Sequence, residues 1–383
     1  MRYTTAGESH GRALTAIVTG VPAGIPLLSE NIDADLVRRQ RGYGRGGRQT
    51  IEADKAMILS GVRFGVTIGS PISLAVNNRD WANWTDIMCT SGTKPEGVRE
   101  TAPRPGHADL TGVLKIASDD VRDVLERASA RETAARVAAG AVAKALLRAL
   151  GVSVASYVSA VGSVQLAPVG DPGAVDPVLV ESSEVRCPDA ETSAAMKREI
   201  DAARGDGESL GGVFVVTATG LVPGLGTYAE AGGRLDAKLA AAVISIPAIK
   251  GVEFGDGFEL AGVRGSSAHD EISYVEGRGF SRPTNHAGGL EGGMSNGETL
   301  VVRAAMKPIP TLMTPLASVD LDTLEAIDAS KERADVCAVP AAAVVAEAEV
   351  ALVLAAAYTK KFGGDALVDI VAARDAYLAR INR

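Results

Sequence analysis

Hydrophobic residues recur along the chain with two different periods, and each period indicates one kind of element. The longest helical pattern runs over residues 131–150, where apolar side chains return about every 3.6 residues. Gly151 follows at the place where a left-handed residue commonly ends a helix. The same spacing predicts further helices over 29–40, 235–246 and 340–362.

Strands are predicted where apolar residues alternate with smaller or polar ones, as they do over residues 72–76. Residues 252–260 are interpreted as two short strands joined by the turn Gly255-Asp256-Gly257. Residues 165–192 are rich in Pro, Gly and Asp and are interpreted as a surface excursion. Further strands are predicted over 152–161, 213–219 and 299–306.

Composition narrows the class of protein. The 383 residues are 46% hydrophobic and 22% charged, which excludes a disordered or fibrous chain. We find neither a polar linker nor a repeat, so we predict one domain of mixed α and β character over residues 1–383. The formal net charge of −8 argues against nonspecific binding to nucleic acid or to an anionic membrane.

The distribution of cysteines and apolar stretches points to a reducing cytoplasm. The three cysteines are widely spaced, so neither a disulfide framework nor a cysteine metal site is predicted. The N-terminus shows no apolar signal segment. The two longest apolar stretches, 134–150 and 341–357, both contain charged residues, so no membrane span is predicted.

A loop rich in arginine and glycine follows the first predicted helix. An arginine guanidinium group can form bidentate hydrogen bonds with two oxygens of a phosphate or carboxylate, and glycine allows the backbone to approach a ligand closely. The loop therefore predicts an anion clamp, while a solvated basic loop and an RNA-binding Arg-Gly segment remain open. Tyr43 is its one aromatic residue, which is poor provision for base stacking. The arginines are Arg38, Arg39, Arg41, Arg45 and Arg48.

Two further patterns suggest anion binding and proton transfer. Residues 126–133 lead into the long helix with Ser129 and two arginines, which is typical of a phosphate site at a helix start or of an ordinary N-cap. The four histidines show no spacing that suits a metal, so proton transfer is their more plausible chemical use, beside a merely structural one. They are His10, His107, His269 and His286.

Taken together, the motifs resemble the chorismate synthase family from residue 7 to about residue 340. The segments that carry the resemblance are Gly7–Gly11 with its continuation to Pro22, Arg41–Arg45, Arg104–Asp109, Arg127–Thr133, Ala248–Gly257, Asn285–Gly293, Lys307–Thr311 and Arg333–Cys337. The resemblance implies an α+β fold, a β-α-β sandwich with long helices packed between two antiparallel sheets. It also implies a 1,4-anti elimination of phosphate from 5-enolpyruvylshikimate 3-phosphate to give chorismate, a reaction that requires reduced FMN.

The resemblance assigns roles to individual residues. It implies that His10 is the acid that assists the departing phosphate, that His107 protonates the reduced flavin and that Asp335 relays a proton at flavin N5. The residues that it implies bind FMN are Arg127, Ala128, Ser129, Pro247, Ala248, Gly292, Lys307, Pro308, Ile309, Pro310, Thr311 and Arg333. Those that it implies neutralise the substrate are Arg39, Arg45, Arg48, Arg131 and Arg333.

Several expectations stay open at the level of sequence. The family resemblance also gives Arg39 and Arg45 a role with NADP, and NADPH is a reductant for the flavin in some members. A homotetramer in the cytoplasm is implied as well. The alternatives are an RNA-binding protein that uses the Arg-Gly loop, and an enzyme of phosphorylated metabolites that has lost flavin use. Acidic net charge weighs against the first, and His10, His107 and Asp335 weigh against the second.

Overall fold

The structure is a computed structural model that describes residues 1–46, 53–276, 279–330 and 335–381. Its helices are α1 (Ser29–Gln40), α2 (Asp109–Ile116), α3 (Arg122–Leu125), α4 (Thr133–Ala149), α5 (Pro177–Ser182), α6 (Ala190–Gly205), α7 (Leu235–Ile244), α8 (Gly265–Ala268), α9 (Val339–Phe362) and α10 (Leu367–Ile381). Its strands are β1 (Arg2–Ala6), β2 (Ala13–Thr19), β3 (Ala56–Ile58), β4 (Val62–Arg63), β5 (Val66–Thr67), β6 (Ile72–Asn77), β7 (Ser153–Val161), β8 (Val164–Gln165), β9 (Gly212–Thr219), β10 (Ile249–Phe254), β11 (Ser273–Val275), β12 (Gly279–Ser281), β13 (Leu290–Glu291), β14 (Met294–Ser295), β15 (Leu300–Met306), β16 (Ala317–Val319) and β17 (Ala326–Asp328).

Two antiparallel sheets enclose the long helices. One sheet has the strand order β1-β2-β6-β3, and the other has the order β10-β15-β9-β7-β8. α4 packs against β2 and β6 of the first sheet, α9 packs against β7 and β9 of the second, and α4 and α9 pack against each other. The apolar faces of both sheets are thereby covered by helices. The predicted β-α-β sandwich is confirmed.

α9 is the central helix of this core. By length and composition alone it could cross a membrane, and within the described part of the chain it is the one helix that passes that test. However, 89% of its most apolar window is buried inside the fold. A helix that is apolar on every side suits such a position. α9 is therefore explained as the core helix of the sandwich.

Close contact between α4 and α9 depends on small residues. A Cβ atom placed on Gly140 of α4 would lie 2.2 Å from the Cβ atom of Ala348 on α9. Real Cβ atoms do not approach so closely, so Gly140 allows the two helix backbones to come together. The pairing of glycine with alanine at this crossing explains why a helix with so few large side chains is nevertheless tightly packed.

A network of buried charges joins α9 to its surroundings, and we call it the core charge cluster. The Glu347 carboxylate, fully buried on α9, accepts two hydrogen bonds of 2.7 Å from Arg38 and one of 2.6 Å from Lys144. Burial acts to raise the pKa of Glu347, but these neighbouring cations hold it well below its usual range. The cluster consists of Glu347, Asp35 and Glu181 with Arg38, Lys144 and Arg186.

Most of the predicted elements are confirmed by α1, α4, α7, α9, β6, β7, β9 and β15. The two-strand interpretation of 252–260 is wrong in its second half: β10 ends at Phe254, and residues Gly257–Gly262 form a 3-10 helix. The Glu253 carboxylate accepts the backbone N–H of Phe258 at 3.1 Å and so supports this turn. The excursion over 165–192 holds α5 and the start of α6, whose N-caps Asp176 and Asp189 are clear only in the structure.

Candidate active site

A cavity of about 710 Å³ lies where several helix ends meet. The last turn of α1, the start of α4, the segment between α7 and β10 and the segment after β15 all contribute to its wall. Predicted site residues that line it are His10, Arg39, Arg45, His107, Arg127, Ala128, Ser129, Arg131, Pro247, Ala248, Lys307, Ile309, Pro310, Thr311 and Asp335. The fold thus brings together residues that are more than 300 positions apart in the sequence.

Four predicted residues are not placed in this wall. Gly292 lies in the tight turn between β13 and β14 and is not among the residues that line the cavity. Pro308 is also absent from the lining, although its neighbours on both sides belong to it. Arg48 and Arg333 lie outside the described residues.

His10 is fixed on both sides. Its ring Nδ1 lies 2.9 Å from Oε1 of Glu126, and its backbone N–H donates to Oε2 of the same carboxylate at 2.8 Å. The indole ring of Trp84 stacks on the imidazole with 3.8 Å between centroids and 20° between planes. Arg122 contacts both neighbours of His10. Its Nη1 donates to Oε1 of Glu126 at 3.1 Å, and its guanidinium lies 5.3 Å from the ring centroid of Trp84. His10 is therefore a positioned imidazole on the cavity wall.

His107 is paired with a second buried carboxylate. Its ring Nδ1 is hydrogen-bonded to Oδ1 of Asp109, and Nε of Arg104 donates to Oδ2 at 2.8 Å. Burial acts to raise the pKa of Asp109, but the bonds from His107 and Arg104 lower it to about 2. Asp109 is therefore ionised at neutral pH. Arg104 also donates to Thr311 Oγ1 at 3.1 Å, which ties this pair to the segment after β15.

Arg39 and Arg131 share one carboxylate at the base of the cavity. Nη2 of Arg39 donates to Oδ2 of Asp54 and Nη1 of Arg131 donates to Oδ1, each at 2.6 Å. All three residues are buried. Burial lowers the pKa of Arg39 to about 10, so this guanidinium stays charged at neutral pH. Two cations therefore share the Asp54 carboxylate.

Asp335 is bound to the arginine-glycine loop. Its Oδ2 lies 2.6 Å from Nη1 of Arg45, and its Oδ1 accepts the backbone N–H of Gly46 at 2.7 Å. The loop approaches closely at Gly44, whose backbone has φ +83 and whose carbonyl accepts the N–H of Val336 at 2.8 Å. A side chain on Gly44 would meet Ile200 at 2.9 Å, so only glycine fits here.

The start of α4 faces the cavity. A 3-10 turn over Ala130–Glu132 runs directly into α4, and Oγ of Ser129 accepts the backbone N–H of Arg131 at 3.3 Å. The positive end of a helix favours anions, as predicted for this segment. Arg127 lines the cavity, but its guanidinium donates to the backbone carbonyls of Thr5 and Gly7 at 3.1 Å.

The opposite wall combines an apolar surface with lysines. Ile246, Pro247, Ile309 and Pro310 contribute apolar surface to it. Nζ of Lys307 donates to the carbonyl of Gly106, which links this wall to the His107 segment. The backbone N–H of Lys307 donates to the carbonyl of Ala248 at 2.9 Å. Ala248 has φ +68, a strained conformation for a residue with a Cβ atom, and it lies directly on the cavity.

The charge of the lining is strongly one-sided. Among the described residues, eight cationic side chains line the cavity against two carboxylates, Glu132 and Asp335. The cations are Arg39, Arg45, Arg104, Arg127, Arg131, Arg136, Lys250 and Lys307. This arrangement is suited to a ligand with several negative charges. The described residues contain no group of three or more His, Cys, Asp or Glu that could hold a metal ion.

The sequence analysis assigned no role to the residues that orient the histidines and the arginines of the site. Glu126, Asp109, Asp54 and Trp84 make the contacts that orient the site, yet only the folded chain shows whom they contact. Asp109 could have been found, since it lies two residues after His107 in the same motif. Asp54 and Trp84 carry no local signal, because their partners are far away along the chain.

Comparison with known proteins agrees with these features. Residues 1–359 match the family model described as chorismate synthase. A chorismate synthase of Symbiobacterium thermophilum is 55% identical over 100% of both chains, and one of Moorella thermoacetica is 57% identical over 96% of this chain and 95% of its own. A solved structure named "Crystal Structure of Chorismate Synthase" matches with a TM-score of 0.81 and 42% identity, covering 100% of this chain and 98% of its own.

Proposed function

The chain belongs to the chorismate synthase family, and we propose that its cavity eliminates phosphate from 5-enolpyruvylshikimate 3-phosphate, with reduced FMN, to give chorismate. Chorismate synthases are carbon–oxygen lyases of the shikimate pathway, and they act on a small-molecule substrate. The observation that carries the assignment to this cavity is its lining of eight cations and two carboxylates around two histidines that buried acids hold.

The charge of the substrate fits this lining. 5-Enolpyruvylshikimate 3-phosphate has two carboxylates and one phosphate, all of which need positive partners once water is excluded. Arg39 and Arg131 both donate to Asp54, and the positive end of α4 lies beside them. We therefore assign Arg39, Arg45 and Arg131 to the substrate rather than to NADP. Arg48 and Arg333 are proposed to join them, on the family resemblance alone.

The remaining space fits a flavin. Arg39 and Arg45 each keep a buried Nε–H that has no hydrogen-bond partner among the described residues, which is expected where the anionic substrate supplies the acceptor and leaves the rest of the cavity to the flavin. The apolar wall around Pro247 and Ile309 offers a surface for a planar ring system. Residues proposed to hold FMN are Ala128, Ser129, Pro247, Ala248, Lys307, Ile309, Pro310 and Thr311, with Arg127 at the edge. Bound reduced FMN would supply electrons transiently, so that phosphate leaves before the unactivated ring C–H bond is broken.

The protein's own groups supply and accept protons. His10, beside Arg39 and Arg131 on the cavity wall, is proposed to donate a hydrogen bond or proton to the leaving phosphate. His107 is proposed to protonate the reduced flavin, because Asp109 on Nδ1 leaves Nε2 as its second nitrogen. Asp335, which Arg45 and Gly46 orient, is proposed to relay a proton at flavin N5.

Three finer points complete the proposal. NADPH is proposed as a source of electrons for the flavin, beside an external reductant. A homotetramer in the cytoplasm is proposed because the family resemblance implies it. Neither nucleic acid nor a membrane is proposed as a partner, since the net charge is −8.

The test is an anaerobic assay of phosphate release and chorismate formation. Purified protein is incubated with 5-enolpyruvylshikimate 3-phosphate, FMN and dithionite, and the control omits dithionite. We expect both products only with reduced flavin, and a repeat with NADPH in place of dithionite decides whether the chain reduces its own flavin. Products without any flavin would show that flavin use has been lost. No product together with no FMN binding would return the arginine loop to its RNA-binding interpretation.

A further inference from the structure

The Glu126 carboxylate holds two separate parts of His10. One oxygen accepts the backbone N–H of His10 and the other contacts ring Nδ1, at 2.8 Å and 2.9 Å. A single group that binds both the main chain and the ring fixes the position of the residue and the rotation of its side chain together. Trp84, stacked on a face of the ring with 3.8 Å between ring centroids, restricts tilting of the ring plane.

The ionisation of Glu126 decides which nitrogen of His10 can react. Burial acts to raise the pKa of Glu126, but the hydrogen bonds and charge of His10 and the charge of Arg122 lower it below its usual value. An ionised carboxylate only accepts hydrogen bonds, so Nδ1 of His10 must carry a hydrogen. The proton that His10 gains or loses is then the one on Nε2, and Nε2 has no hydrogen-bond partner among the described residues.

The same arrangement occurs at the second histidine of the cavity. Asp109 contacts Nδ1 of His107 and is shared with Arg104, just as Glu126 contacts Nδ1 of His10 and is shared with Arg122. Both carboxylates are buried. An arginine bonded to the same carboxylate favours the ionised form of each acid, through Oε1 of Glu126 and through Oδ2 of Asp109. Two separate segments of the chain therefore form the same arrangement, a histidine whose Nδ1 is bonded to a buried carboxylate that an arginine also contacts.

We propose that Glu126 is a positioning residue for the elimination, one that directs Nε2 of His10 into the cavity and favours the protonated ring. Trp84, stacked on the imidazole, helps to hold the ring in this orientation. This inference rests on the proposed function of His10 as the acid at the leaving phosphate. A carboxylate on Nδ1 stabilises the imidazolium that must be present before phosphate departs, and it returns the ring to the same orientation after each turnover.

Other charges act on His10 besides Glu126. Arg122, on α3, is bonded to Glu126, and the Asp80 carboxylate accepts a hydrogen bond of 3.1 Å from Nε1 of Trp84. Arg39 and Arg131 are among the six arginines that line the cavity together with His10. The cations oppose protonation of the ring and the carboxylates favour it. The charged groups around His10 on these elements are therefore Glu126 on its ring, Arg122 and Asp80 behind Glu126 and Trp84, and Arg39 and Arg131 in the same cavity lining.

Tryptophan fluorescence tests the proposal without any substrate or flavin. The chain has two tryptophans, so a W81F variant leaves Trp84 as the one indole, stacked on His10. A protonated imidazole in contact with indole quenches its emission, so emission against pH reports protonation of His10. Adding E126Q is expected to move the midpoint of this titration to lower pH by about one unit or more, as expected when an opposite charge within ~4–6 Å is removed.

Controls separate positioning from other effects. W81F/H10N should lose the titration, which identifies His10 as its source, and W81F/E126D should restore most of the midpoint because it keeps the charge. Should E126Q fail to fold, E126D alone remains informative through its smaller shift. An unchanged midpoint in E126Q would overturn the proposal. Because the readout needs no turnover, it stands even where the elimination assay gives no product.

Kinetics then show whether positioning matters for the reaction. E126Q should lower kcat about 10- to 100-fold, a part of the ~10²–10⁴-fold that general acid catalysis contributes, with little change in KM. Its activity should fall at lower pH than that of the unmodified enzyme on the alkaline side. A raised KM with unchanged kcat would instead assign Glu126 to substrate binding and overturn the positioning role.

Discussion

Two groups of buried charges lie on either side of α1, and their difference separates structure from function. In the core charge cluster three cations meet three carboxylates, and the Glu347 carboxylate is surrounded by Arg38, Lys144 and Ser156. Eight cations and two carboxylates line the cavity, and even with Asp54, Asp109 and Glu349, which bond to four of these cations from behind the wall, the cations remain in excess. Arg38 belongs to the first group, and its neighbour Arg39 belongs to the second. The balanced charges of the core charge cluster stabilise the fold, whereas the excess of cations in the cavity lining is suited to an anionic ligand.

The largest expected effect is a loss of turnover in a variant of the cavity lining that leaves the core charge cluster unchanged. H107A should lower turnover about 10²- to 10⁴-fold, the range typical of general acid–base catalysis. Folding should be little changed, because Asp109 keeps its bonds to Arg104. H286A is a matched control, since His286 is also paired with a carboxylate, Asp256, but does not line the cavity. Steady-state anaerobic assays measure both, and equal turnover in H107A and the unmodified protein would remove His107 from the mechanism.

The next effect is on stability and concerns the core. E347Q leaves Arg38, Lys144 and Arg186 buried around a neutral group, and should lower the free energy of unfolding by about 3–5 kcal/mol. E349Q is the matched control two residues further along α9. Burial raises the pKa of Glu349, so a neutral side chain is tolerated better there. Urea denaturation compares the two, and an equal loss in both would contradict the special role of Glu347.

A third variant tests whether an anion completes the cavity. D54N removes the carboxylate charge that Arg39 and Arg131 share, so the free energy of unfolding should fall by about 1–3 kcal/mol. Inorganic phosphate at 100 times its Kd stabilises a folded protein by about 2.7 kcal/mol, so it should restore much of this loss. The same phosphate should not restore E347Q, whose cluster is closed. Thermal unfolding of both variants with and without phosphate measures this stabilisation. If phosphate stabilised D54N and E347Q equally, the cavity would bind anions no better than the core charge cluster does.

The same contrast explains what could be predicted from sequence. α4 and α9 were predictable because period and terminal glycines are local, and the cationic cavity was indicated by arginines clustered in one loop. Family motifs then located His10 and His107. The acid that holds His10 was missed, because Glu126 lies 116 positions from it and only folding joins the two, whereas Asp109 lies two residues after His107 and could have been found. Asp54 was missed for the same reason, since Arg131 is 77 positions away.

The smallest predicted effect uses pH to weigh the acid that holds His107. The pKa of Asp109 is about 2 in the folded protein, below the ordinary value of 3.8, so this group contributes stability above pH ~4 that is lost as pH falls toward 2. A difference of this size corresponds to about 2 kcal/mol. D109N lacks the charge at every pH, so the unmodified protein should unfold with a free energy about 2 kcal/mol higher near pH 6, and the two curves should converge between pH 4 and pH 2. Urea denaturation across this range measures the difference. A constant gap would mean that Asp109 acts through its hydrogen bonds alone, and the negative charge would then have no part in holding His107.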